Sequence, residues 1–177
     1  MFPMKKNILF VLVVSIFSCK NDDSNNQTDM LNINLVSGIN LRETADQAPL
    51  RFGNPNIFVS NQLVVYPNLA YEVINIYSQN VITDVYFISG WPEKIHQNVD
   101  FNDILNSGLY AESTISGLST LKFNGTDLFS TFNISNLEAG YYRVFIKTNN
   151  QFYWDNFYKT NSPTSNTQIE NISTFWN

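Results

Sequence analysis

The stretch Tyr141-Tyr142-Arg143-Val144-Phe145-Ile146-Lys147-Thr148-Asn149-Asn150-Gln151-Phe152-Tyr153-Trp154-Asp155-Asn156-Phe157-Tyr158-Lys159 decides the fold. Tyr142, Val144 and Ile146 alternate with Tyr141, Arg143, Phe145 and Lys147, the period-2 pattern of a strand. Asn149-Asn150 can take positive φ, so it suits a two-residue hairpin turn, and the return strand is Gln151 to Lys159. On that strand Phe152, Trp154 and Asn156 share one face, while Tyr153, Asp155 and Phe157 share the other. In a sandwich one of these sets must be core. Gly140 allows a turn conformation that a Cβ would resist. Tyr142 is expected to bury its ring while its hydroxyl finds a partner near the surface.

Upstream the same rhythm recurs. Leu31, Ile33 and Leu35 alternate with Asn32 and Asn34 as a first strand. Further strands are expected over Gln62–Tyr66, Glu72–Ser78, Ile82–Ser89, Leu118–Phe123 and Leu128–Ile134. Leu50 to Ser60 holds the turn cluster Gly53-Asn54-Pro55-Asn56, and Pro67-Asn68 and Asn124-Gly125 end two strands. Ile82–Ser89 is apolar on both faces, which marks a central strand. Asp100 to Asn106 allows one short helix. About seven to eight short strands at roughly ten-residue spacing argue an all-β protein, an antiparallel β-sandwich. The expected organisation is a leader over 1–18, a flexible tether over 19–30, the sandwich over 31–159 and a polar tail over 160–177.

The N-terminus supplies an address. Lys5 and Lys6 precede the apolar run Ile8 to Phe17, followed by Ser18 and Cys19, the one cysteine of the chain. This is the layout of a secretory signal. Ile16-Phe17-Ser18-Cys19 occupies the lipobox position, so the start resembles a bacterial lipoprotein signal, although Phe17 is bulky there. The run is about half the roughly 20 residues that a spanning helix needs. The resemblance implies that Cys19 becomes the mature terminus and carries diacylglycerol, commonly with a third acyl chain such as palmitate. Two or more chains hold a protein stably in a bilayer where one does not. Lys20 to Asp29 is polar and lacks aromatics, as a tether should. Cysteine followed by lysine and paired acids resembles the surface-export signal of Bacteroidota lipoproteins. Outer-membrane anchoring follows, with the cell surface favoured over the periplasmic face.

Removing residues 1–18 leaves 8 Lys+Arg against 15 Asp+Glu, a net charge of −7. Nucleic acid is a poor partner for such a surface, because its binding rests on phosphate neutralisation. The 26 asparagines are turn formers, from which no function follows.

Two blocks resemble the C-terminal sorting domain of type IX secretion cargo, a seven-stranded immunoglobulin-like sandwich of Bacteroidota. One is Val64-Val65-Tyr66-Pro67-Asn68-Leu69-Ala70 with the strands to Gly90. The other is Ile134 to Val144, including Leu137-Glu138-Ala139-Gly140-Tyr141-Tyr142, with the hairpin to Lys159. Leu69 stands where the family has a second proline, residues 91–129 are longer than the family's link, and residues follow Lys159. The resemblance therefore implies the sandwich and the bacterial group more than a sorting role.

Chemistry is sparse. His96 is the one histidine and reads as a surface-loop residue, so no metal site or catalytic triad is expected. The carboxylates are dispersed, with nothing to mark the placed pair that a glycosidase needs. No cofactor is expected. Trp91, Trp154 and Trp176 are candidates to stack on a glycan, with core packing the alternative reading. The expected role is a non-enzymatic, membrane-anchored envelope lipoprotein whose sandwich presents loops for binding, to a glycan or an envelope protein, or for envelope assembly. An accessory or degenerate sorting domain of the type IX system is the alternative, and an enzyme acting on surface polysaccharide is a third.

Overall fold

The computed structural model describes residues 30–60 and 63–177. The leader, Cys19 and the tether up to residue 29 lie outside the described residues. The strands are β1 (Leu35–Val36), β2 (Gly38–Leu41), β3 (Leu50–Gly53), β4 (Leu63–Tyr66), β5 (Val73–Ser78) and β6 (Ile82–Ser89). Then follow β7 (Trp91–Pro92), β8 (Leu121–Asn124), β9 (Phe129–Asn133), β10 (Gly140–Thr148) and β11 (Gln151–Lys159). Among the described residues two complete helices are present, α1 (Glu112–Leu118) and α2 (Asn166–Trp176), with a 3-10 turn at Phe101–Asp103.

Two main sheets form the sandwich. One has the order β4-β5-β9, the other β11-β10-β6-β8, and all their pairings are antiparallel. Of these strands in chain order, the first, second and fifth share one sheet, and the third, fourth, sixth and seventh share the other. That is an immunoglobulin-like arrangement. The short strands β1, β2, β3 and β7 lie outside it, paired β2–β3 antiparallel and β1–β7 parallel.

The hairpin that decides the fold forms as its residues imply. Asn149 and Asn150 have φ of 47° and 64°, and Thr148 pairs with Gln151. Gly140 has φ +155°, and the buried Tyr142 donates its hydroxyl to the Glu138 carbonyl at 3.0 Å. This is a tyrosine corner at the entry to the sixth sandwich strand. β6 lies between β10 and β8, as its two apolar faces required.

Both faces of the larger sheet are buried. Inward, Val85, Phe87, Val144, Ile146 and Phe157 meet Val65, Ile74, Ile76 and Phe132 of the opposing sheet. Outward, Tyr86, Ile88, Phe145, Phe152 and Trp154 are covered by Phe101, Leu105 and Ile115 of the segment after β7. Both faces of β11 are thus core, not one set alone. A third cluster joins Ile39, Leu41, Phe52 and Leu69 to Ile172 and Trp176 of α2.

Several expectations are corrected. The first strand begins at Leu35, not Leu31, and the turn cluster over 50–60 starts with a strand, β3. The expected 100–106 helix is a single 3-10 turn, and α1 precedes β8, where none was expected. Residues 160–177 are no loose tail. α2 is closed by a capping box between Ser165 and Gln168, which satisfies two orphan N–H groups. Ile169, Ile172 and Trp176 then fall on one face.

Asparagines hold the layers together. Asn56 accepts from Ser37 N–H and Asn156 Nδ2 on its side-chain oxygen and donates to the Leu35 carbonyl at 2.9 Å. Asn68 donates to the carbonyls of Asn40 and Asn156 and accepts from the Tyr158 N–H. Together with Phe58 and Ala70 it occupies the outer edge of β11, which would otherwise template pairing with another chain.

Asp155 is buried on β11, and desolvation pushes its carboxyl from 3.8 up to about 6, with the Asn156 N–H, Arg42 and Arg143 offsetting only part. Between these values the unfolded chain has released a proton that the folded chain keeps. Stability therefore falls as pH rises through the window and stays low above it. The gap corresponds to about 3 kcal/mol. Asp155→Asn keeps an oxygen for the Asn156 N–H and is expected to raise Tm at pH 7.5 but not at pH 4. Equal shifts at both pH values in thermal melts would refute the burial argument.

Candidate functional site

The β2–β3 hairpin divides two hollows, and strand alternation decides what each receives. Leu41 pairs with Leu50 and Asn40 with Arg51. Directly opposed residues point to the same side, and neighbours along a strand point to opposite sides. The leucine pair therefore faces one hollow and the Asn–Arg pair the other.

On the leucine side lies an open cleft of ≈ 430 Å³, bounded by the β2–β3 connection, the Pro67–Val73 loop and the start of α2. Leu41 and Leu69 are buried at its base. Leu50, 57 % exposed, and Val73, 41 % exposed, stand at its rim. Paired backbone bonds between Arg42 and Asn68, of 3.1 and 2.8 Å, fix the hairpin to the loop. Thr164 Oγ1 donates to the Leu69 carbonyl at 3.4 Å, and Ile169 closes the far wall. Arg42, Glu43 and Glu72 set charges of both signs around the apolar base.

This arrangement suits reversible capture. Apolar surface at the base supplies the driving force, about 25 cal/mol per Å² buried. The rim charges orient what enters. The size lies within the range of small-molecule pockets, about 300–1,000 Å³.

The tryptophans are distributed otherwise than a stacking platform requires. Trp154 is fully buried, with its indole donating to the Asn56 carbonyl at 3.1 Å. Trp176 is 5 % exposed and packs from the end of α2 against Tyr141 and Phe52. Neither can meet a glycan, because each is needed where its ring fills the core. Trp91 is 45 % exposed on β7, where it pairs with Leu35. His96 sits in a loop with φ 58°, and its Nε2 is buried without a partner among the described residues. Among the described residues no helix is long and apolar enough to cross a membrane.

Sequence reading missed the cleft. Its walls come from a presumed turn, a presumed loop and a presumed tail. The Ser165-x-x-Gln168 capping box was the signal that could have revealed the last.

Comparison with family models, with curated proteins and with solved structures finds no match.

Proposed function

We propose that the chain is a lipid-anchored, non-enzymatic binding module of the bacterial envelope, with the apolar cleft as its binding site. The cleft carries the reading. An apolar base of Leu41 and Leu69 opens to solvent between exposed Leu50 and Val73, under mixed charges. Its partner is an envelope protein that inserts an apolar side chain. Acylation of Cys19 would hold the domain on a tether at the outer membrane, facing the cell surface. An accessory role beside the type IX machinery is the second reading. Its support is the seven-strand order and the Gly140–Tyr142 turn, both features of the sandwich that the sorting family uses.

One experiment with two arms tests this. Cys19→Ala is expected to shift the protein from the membrane fraction to the soluble one. Leu50→Arg is expected to weaken binding of the uncharged fluorescent apolar probe Nile red about tenfold, the loss of about 1.4 kcal/mol, at unchanged Tm. Leu50 is exposed, so the change costs little folding energy. Membrane retention of Cys19→Ala would remove the anchor. Undiminished probe binding by Leu50→Arg would remove the site.

A further inference from the structure

The second hollow, on the Asn40–Arg51 side of the hairpin, has ≈ 580 Å³ and a different chemistry. Its floor includes the buried Phe101 and Leu105 and the half-buried Phe58. Its walls carry Asn40, Arg51, Gln97, Asn98, Asp100 and Asn102. We propose that this hollow is a binding site for a neutral saccharide.

The hydrogen bonds within the fold support the assignment. Gln97 Nε2 donates to the carbonyls of Ser37 at 3.0 Å and Ile95 at 2.9 Å, which commits both its hydrogens. Asn102 donates its backbone N–H and its Nδ2 to one oxygen of Asp100, at 3.0 Å each. These bonds lock the two side chains. They leave Gln97 Oε1, Asn102 Oδ1 and the second Asp100 oxygen without a partner among the described residues. Three oriented acceptors then await O–H donors. Arg51 is turned by its bonds to the Gly53 carbonyl and to Asn54 Oδ1, and it keeps further N–H groups to donate. The side-chain amides of Asn40 and Asn98 make no bond in the fold among the described residues, so each offers a donor and an acceptor.

A ligand that matches must present several hydroxyls, each both donor and acceptor, above C–H surface that meets the apolar floor. Arg51 and Asp100 cancel in charge, so neither an anion nor a cation is favoured. Ordering the side chains before binding lowers the entropy lost on capture. A pyranose has these properties. This goes beyond the reading of the apolar cleft, because the two hollows lie on opposite sides of the hairpin and can be lost separately.

The test is NMR titration of the 15N-labelled full chain with glucose, galactose, mannose, N-acetylglucosamine and their β-linked disaccharides. At least one is expected to shift the amides of Arg51 and of residues 97–102 while leaving those around Leu50 and Val73 unmoved. Asn98→Ala removes a side chain that the fold does not use, and is expected to weaken that binding about tenfold at unchanged Tm. Leu50→Arg is expected to bind like wild type, which separates this site from the cleft. No shift with any of these sugars at about 10 mM, well above a millimolar Kd, would overturn the proposal. So would binding that Asn98→Ala leaves intact, or shifts confined to the cleft.

Discussion

Arg143→Ala is expected to lower the unfolding free energy by about 3–5 kcal/mol, as breaking a buried charged network does. The residue is fully buried in β10. Its guanidinium donates to the carbonyls of Asn32 and Ile33 at 3.3 Å, to that of Asn56 at 2.8 Å and to the Tyr110 hydroxyl at 3.3 Å. It lies 5.6 Å from the ring centroids of Tyr110, Phe145 and Trp154. Burial lowers its pKa, and Nε has no partner among the described residues, so the cation is costly to house. Its removal is costlier still. Alanine leaves the Ile33 carbonyl unpaired and takes one donor from those of Asn32 and Asn56, which keep the Leu35 N–H and the Trp154 indole, and it opens a cavity between aromatic rings. Arg143→Met fills much of the space and sheds the desolvation cost, so its loss is expected to be about half as large. Urea unfolding of the two variants measures both. An alanine variant within about 1 kcal/mol of wild type would mean that water reaches those carbonyls. The same contacts tie residues 32–33 to the sandwich, so amide exchange over 31–36 is expected to accelerate in Arg143→Ala before global unfolding does.

Trp176→Ala is expected to weaken docking of α2 by about 3–5 kcal/mol, the usual cost of truncating a buried tryptophan. The ring packs edge-on against Tyr141 at 5.9 Å, and its Nε1 donates to the Tyr141 hydroxyl at 3.1 Å. Burial pushes that phenol up to about 12, so it stays neutral and able to accept at any pH of interest. The fit extends to the backbone. A Cβ on Gly53 would lie 2.6 Å from Trp176 Cε3, and Gly53 has φ +64°, which side chains resist. The helix contributes Ile169 and the segment ahead of it Thr164 to the cleft, so undocking removes one wall. The expected signature is loss of amide protection over 169–176 together with loss of apolar-probe binding. Contacts between the two main sheets involve neither α2 nor Trp176, so the tyrosine corner and the hairpin should stay intact. Protection retained over 169–176 would show that Ile172 alone suffices to hold the helix.

How much of this was legible in the residues differs between layers. Period-2 alternation over β10 and β11, the paired asparagines between them and the glycine-tyrosine entry are local signals. The structure follows each of them because a hairpin needs no distant partner to set its register. β6 carried its central position in its two apolar faces. The covering segment was harder. Phe101, Leu105 and Ile115 come from a 3-10 turn, the residues after it and α1, and no fixed period links them. α2 was diluted by threonine, asparagine and serine, whose weak helix propensity hid a stripe of three buried or half-buried residues. The asparagines looked like turn formers. Asn56, Asn68 and Asn156 instead act as buried crosslinks, a role that depends on carbonyls up to 118 residues away.

The sequence by itself determined the antiparallel sandwich and its closing hairpin. Each depends on the dihedral preferences of adjacent residues or on side chains within one strand. Tertiary structure alone decided that Trp154 and Trp176 are core, that the last residues form a wall, and that one hairpin separates an apolar cleft from an amide-lined hollow. Those outcomes depend on which distant segments compete for the same buried surface. That competition is settled by packing volume and by hydrogen bonds between residues far apart in the chain.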